Sequence, residues 1–304
     1  MMRRILLLLF TAILVSAQPR QVAITIDDLP RGGGDRGARD LASIRAMTQK
    51  LLAPLRGVPF IGFVNAGRAQ QLGDAGLQEI LRMWLDYGGT LGNHSDSHPD
   101  LNDTPLDQYT DDILRGEPAI EKALGKRPVY FRHPFLHTGP DVERREGLAR
   151  FLAEHGYLVA PVTLDNSDWI FAAVYSDALR RKDTALALKV KRAYVPYMES
   201  VVAFFEARSK EVVGREIAQT LLIHASQLNA DSMPDLLAMF RRRGYRFVSL
   251  EEALRDDAYQ LKENYTGKGG FSWIHRWSRY LGMPNKGEPD EPAWLAEEYK
   301  KLAR

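Results

Sequence analysis

Residues 22–28 read Val22-Ala23-Ile24-Thr25-Ile26-Asp27-Asp28, a β-branched apolar run that stops at two adjacent carboxylates. A run this short and this apolar is what a strand covered on both faces requires, and such strands belong to parallel sheets. Five similar runs recur: Phe60-Ile61-Gly62-Phe63-Val64, Val129-Tyr130-Phe131, Tyr157-Leu158-Val159-Ala160, Thr220-Leu221-Leu222-Ile223 and Tyr245-Arg246-Phe247-Val248. Amphipathic stretches near 38–52, 74–86, 105–124, 143–155 and 234–243 lie between them. Gly156 and Gly244 each stand between a helical stretch and a strand, where a left-handed cap belongs. The alternation predicts an α/β fold, a parallel sheet with helices outside it, either a barrel or doubly wound. In both cases the ligand site is expected at the C-terminal ends of the strands.

The chain has 304 residues, 45% hydrophobic and 26% charged, with 24 Gly, 16 Pro and no Cys. These are the proportions of an ordinary globular protein, and they exclude collagen-like, mucin-like and disulfide-scaffold chains. Without Cys there is no thiol nucleophile and no thiolate ligand, so any metal must sit on His, Asp or Glu. Met1-Met2-Arg3-Arg4, the apolar run Ile5 to Val15 and the ending Val15-Ser16-Ala17 have the pattern of a secretory signal cleaved after Ala17. The run is too short to cross a hydrocarbon layer of about 30 Å. The mature protein is therefore expected to be secreted or periplasmic, with no stable membrane insertion. Removing Arg3 and Arg4 from 41 basic residues leaves 39 against 39 acidic ones. A charge balance near zero argues against a nucleic-acid partner.

Two regions break the rhythm. Residues 175–214, rich in Arg, Lys and aromatics, predict a helical insertion. The tail from 257, with Gly267-Lys268-Gly269-Gly270, Trp273, Trp277 and Trp294, predicts a C-terminal extension packed on one catalytic domain that spans 18–256. Gly32-Gly33-Gly34 reads as a flexible rim loop, since no Lys-Ser/Thr follows to bind phosphate. Arg241-Arg242-Arg243 reads as a set of cations complementing a helix dipole before Gly244.

Chemistry concentrates at the strand ends. Asp27-Asp28 close the first run, and Asn93-His94-Ser95-Asp96-Ser97-His98 places two His four apart, able to share one ion. One Asp with two His makes a three-ligand set that leaves a position for water, the arrangement of a catalytic zinc. The second Asp is then free to take a proton. Arg132 ends a strand ahead of Pro134; Asp168 and Trp169 put a carboxylate beside an aromatic wall; Leu222-Ile223-His224 ends a buried run in an imidazole. Any one of these has a purely structural account. Five at consecutive strand ends do not.

Thr25-Ile26-Asp27-Asp28, His94-Ser95-Asp96-Ser97-His98, Arg132-His133-Pro134-Phe135, Asp165-Asn166-Ser167-Asp168-Trp169 and Leu222-Ile223-His224 resemble, in order, the five motifs of the polysaccharide deacetylases with a NodB-homology domain, carbohydrate esterase family four. The resemblance spans about residues 20–255. It implies a distorted (β/α) barrel and a hydrolase that removes N-acetyl groups from an amino-sugar polymer or oligomer, releasing acetate. It implies a divalent metal on Asp28, His94 and His98, zinc first, with cobalt or nickel able to replace it. Asp27 would be the general base and Arg132 would orient and charge-pair it, lowering its pKa. The metal and the backbone N–H of Phe135 would hold the oxyanion. His224, tuned by Asp168, would protonate the leaving amine, and Leu222 and Trp169 would line the acetyl pocket. The sequence departs from the usual pattern at Ile26, His133 and Phe135. The implied partner is an acetylated glycan. Two other readings stay open: the same metal site acting on O-acetyl esters or another amide, and a non-catalytic glycan-binding protein.

Overall fold

The computed structural model describes residues 20–302. The expected signal segment, 1–17, lies outside them. Seven strands run in one parallel sheet: β1 (Arg20–Leu29), β2 (Phe60–Val64), β3 (Thr90–Asn93), β4 (Tyr130–Phe131), β5 (Leu158–Val159), β6 (Gln219–His224) and β7 (Tyr245–Val248). The order is β5-β4-β3-β2-β1-β6. One edge of β1 is shared: Arg20 to Ala23 pair with β7, and from Ile24 onward the partner is β2. Just past β5, Leu164 returns to Leu221 of β6 by an isolated parallel bridge, drawing the two margins of the sheet together. The result is a curled half-barrel with helices around it.

The first four helices, α1 (Leu41–Leu52), α2 (Gly73–Asp86), α3 (Leu106–Leu124) and α4 (Val142–Glu154), follow the predicted stretches closely. Local signals start and stop them. Asp40 and Asp141 accept the backbone N–H three residues ahead, and Gly125 ends α3 in the left-handed conformation at φ +70°. Gly156 and Gly244 also take positive φ, at +72° and +79°. Since helices cover the sheet outside and side chains fill the curl inside, β1 is buried from Val22 to Leu29, which is why its sequence shows no alternation.

The region read as an insertion forms α5 (Asp168–Arg180) and the 30-residue α6 (Thr184–Val213). α6 belongs to the main core, with Val190, Tyr194, Met198, Val202 and Phe205 all buried in it. α7 (Gln227–Arg242) begins earlier than predicted, capped by Ser226, and runs through Pro234. A short α8 (Leu250–Ala253) follows β7, and the tail forms α9 (Trp273–Tyr280) and α10 (Ala293–Leu302). Trp273, Ile274, Trp277 and Leu295 are buried in the same core as β1 and α6. No helix among the described residues is long and apolar enough to cross a membrane.

Candidate metal centre and catalytic cleft

Strand register brings the motif residues to one level. Asp27 of β1 pairs directly with His224 of β6, while Val64, Asn93 and Phe131 line up across β2, β3 and β4. The loops holding His94, His98 and Arg132 to Phe135 thus leave the sheet side by side. Their backbones are forced: φ is +65° at Asp28, +67° at Ser95, +63° at His98, +56° at Phe135 and +55° at Leu136. Left-handed non-glycine residues cost on the order of 1–3 kcal/mol each and persist only where surroundings over-determine them. Here they do. Asn93 Oδ1 accepts the Ser95 N–H at 2.7 Å and Ser95 Oγ accepts the His98 N–H at 3.1 Å. The Asp112 carboxylate takes the N–H groups of Asp96 and Ser97, both at 2.9 Å.

Asp28, His94 and His98 come together with ligand atoms within 4.8 Å of one another, the one such group among the described residues. Asp28 Oδ1 lies 3.6 Å from His94 Nε2 and 3.4 Å from His98 Nε2. Those separations approach the edge of a tetrahedron, about 3.4 Å, whose metal–ligand bonds are about 2.0–2.1 Å. The His94 Nδ1 is 2.8 Å from the Arg132 carbonyl, which places its hydrogen there and turns the Nε2 lone pair toward the cluster. Burial pushes both imidazoles below their usual range, leaving them neutral and able to ligate. Burial works against ionised Asp28, and positive charge on His98, His224, His94 and Arg68 works for it, so that whichever of the four are protonated pull this carboxyl down. The donor set fits a divalent cation.

Asp27, 2% exposed, keeps Oδ1 without a hydrogen-bond partner among the described residues. Its other oxygen is 3.9 Å from Arg132 Nε, an ion pair without a hydrogen bond. Arg132 is wholly buried, donates from Nη2 to Thr25 Oγ1 at 2.7 Å and lies 4.8 Å over the Phe63 ring. Arg132 pulls Asp27 down as expected, but burial outweighs it. Burial raises Asp27 to about 6, with Arg132 and His224 pulling against it.

His224 sits opposite in charge. Its Nδ1 is 2.7 Å from Asp168 Oδ1, and its backbone N–H donates to Asp168 Oδ2 at 2.9 Å. Burial alone would lower this imidazole, but the Asp168 charge and hydrogen bond, with Asp28 and Asp27 beyond, raise it to about 10. Asp168 is fully buried and also accepts from Asn229 Nδ2 at 2.8 Å, while Tyr194 donates to Asn229 Oδ1 at 2.6 Å. Neither Asn229 nor Tyr194 was singled out in the sequence. Only the position of Asn229, five residues past His224 on the next helix, could have pointed to it.

Asp27, Asp28, His94, His98 and His224 face a cavity of about 550 Å³ that Leu222, Trp169 and Phe135 also line. The Phe135 ring stands edge-on to His98, with centroids 4.4 Å apart. Residues 32–34 are no free rim loop. Gly33 donates its N–H to Asp28 Oδ2 at 2.8 Å, and a Cβ there would come within 2.3 Å of His224 Cβ. Sequence reasoning also missed what the tail contributes. Gly270 and Glu288 line the cavity, and Arg276, wholly buried, donates to the Leu136 carbonyl and Thr138 Oγ1, both at 2.6 Å.

Residues 15–152 match the family model described as polysaccharide deacetylase. That match takes in the first two motifs and the Arg132 segment, and covers a little under half of the chain. The chain is 23% identical over 248 residues to a chitin deacetylase of Colletotrichum lindemuthianum, covering 81% of this chain and 84% of the relative. It is 26% identical over 90 residues to a peptidoglycan-N-acetylglucosamine deacetylase of Bacillus cereus, spanning 30% of each. Among solved structures, a mutant of a Bacillus anthracis family pseudoenzyme with restored activity matches with a TM-score of 0.52 at 17% identity, over 78% of this chain and 68% of that one. A polysaccharide deacetylase from Bacillus cereus matches with a TM-score of 0.51 at 18% identity, over 76% and 91%. Both share the fold of this chain.

Proposed function

We propose that this chain is a metal-dependent deacetylase that removes N-acetyl groups from an amino-sugar polymer or oligomer and releases acetate. The observation that supports it most is a carboxylate with an unbonded oxygen, Asp27, and a charged imidazole, His224, gathered around one His₂Asp cluster. Asp28, His94 and His98 would hold the cation, zinc first, with cobalt or nickel accepted by the same donors. That ion would supply Lewis-acid polarisation of the acetyl carbonyl and a more acidic water.

The rest is done by side chains and backbone. Asp27 takes a proton from the attacking water through Oδ1, and a carboxyl raised toward neutrality is a better base than an ordinary one. Arg132 fixes the Asp27 carboxylate by charge at 3.9 Å. The Phe135 N–H donates to the developing oxyanion, the kind of contact worth about 10²–10³ in rate. His224 gives its proton to the departing amine while Asp168 keeps the ring aimed. Leu222 and Trp169 enclose the acetyl methyl. The reading extends to export directed by residues 1–17 and to one catalytic domain, 18–256, with 257–304 as its extension.

The test is acetate release from N-acetylglucosamine oligomers alongside acetyl esters, with metal analysis of the same sample. Acetate from the acetamides of the parent protein, lost in Asp27→Asn, is the expected result. Acetate from esters alone would make it an esterase, and none from either, with glycan still bound, would make it a binder.

A further inference from the structure

Of the carboxylates that line the cavity, Asp27 is matched by Arg132, Asp28 by Arg68 and Glu288 by His275. Asp165 and Glu288 both line the same cavity, and among the described residues Asp165 has no ion-pair partner. Its carboxylate accepts only the N–H of Asn166, at 2.9 Å. Burial and the Glu288 charge push Asp165 up, outweighing the Asn166 N–H and the more distant His224 charge. His133 lies on the same cavity and is 5% exposed, with Nδ1 unbonded. Burial and the Arg276 charge lower that imidazole to about 3, so it stands neutral and able to accept.

Glu288 is not a loose surface acid. His275 Nε2 approaches it at 3.1 Å, and the helix carrying His275 is pinned to the barrel by Trp273 N–H on the Val162 carbonyl at 2.7 Å and Ser272 Oγ on the Thr163 carbonyl at 2.8 Å. The three acceptors do not close to metal-ligand spacing, since among the described residues only Asp28, His94 and His98 do so. A larger cation with several N–H donors suits them better.

We infer that Asp165, Glu288 and His133 form an ammonium subsite, so that the preferred substrate carries a free amine on a sugar near the acetamide to be cleaved, as in a partly deacetylated glucosamine polymer. The inference rests on the deacetylase reading for the acetamide, but its test does not. Binding of the glucosamine trimer and of the N-acetylglucosamine trimer is measured by calorimetry at low salt on the full chain, the two ligands sharing every hydroxyl. The parent protein should bind the amine-bearing trimer about tenfold more tightly, as a charge-assisted contact allows. Glu288→Gln and Asp165→Asn, which keep shape, should each bring the ratio close to one. A parent ratio near one, or a ratio untouched by both variants, overturns the subsite even if acetamides are cleaved. A tenfold ratio lost in the variants, with no acetate from any acetamide, keeps the subsite and removes the deacetylase reading.

Discussion

Asp27 and His224 are pushed toward opposite jobs by their surroundings. Burial raises the acid, and Asp168 raises the imidazole. Rate should climb as Asp27 loses its proton, at or below about 6 because a cation on neighbouring Asp28 favours the carboxylate, and fall as His224 loses its own near 10. In Asp168→Asn the burial that opposes charge on His224 is no longer outweighed, so the alkaline limb of kcat/KM against pH should move down by more than one unit. Direct metal analysis should find His94→Ala depleted and inactive. Asp27→Asn should keep its metal while losing about 10²–10⁴ in turnover. That Asp27, Asp28, His94 and His98 gather at one place was legible in the sequence, because residue type and position at a strand end carry it. The upward shift of Asp27 was not, because it follows from how completely the fold surrounds the carboxyl. Glu288 and Asn229 were hidden for a related reason, since tertiary approach rather than spacing brings them in.

Among elements, β3 was missed: Thr90-Leu91-Gly92-Asn93 has one large apolar side chain, and its Gly92 lies under the Phe63 ring. Its strand character comes from β2 and β4 on either side. α7 was begun too late because Pro234 resembles a helix start, whereas Ser226, accepting the Asn229 N–H, is the actual cap. The Gly32–Gly34 segment illustrates the reverse error, composition suggesting looseness where contact enforces order. Gly33→Ala puts a methyl against His224 at φ +57°, so it should destabilise the fold by about 1–3 kcal/mol and reduce kcat, read from thermal unfolding and acetate assays.

For the whole molecule, the tail is the part least legible in sequence and the most consequential for the cavity. It has no strand among the described residues and no motif, yet Trp273, Ile274, Trp277 and Leu295 fill the central core and Arg276 holds the 136–138 loop. Each large apolar side chain buried contributes about 1.5–3 kcal/mol, so together they rival the 5–15 kcal/mol, roughly, that keeps a domain folded. A chain ending at residue 256 should therefore show no cooperative melting transition by calorimetry, and Arg276→Ala should melt lower with weakened turnover. The left-handed residues have a further consequence. An engineer wishing to toughen this protein by relaxing its backbone finds a harmless opening at Lys182, exposed with φ +61°. The same relief at Asp28, Ser95, His98, Phe135 or Leu136 would slacken the loops that aim the reaction, so durability and speed are set against each other at these five positions.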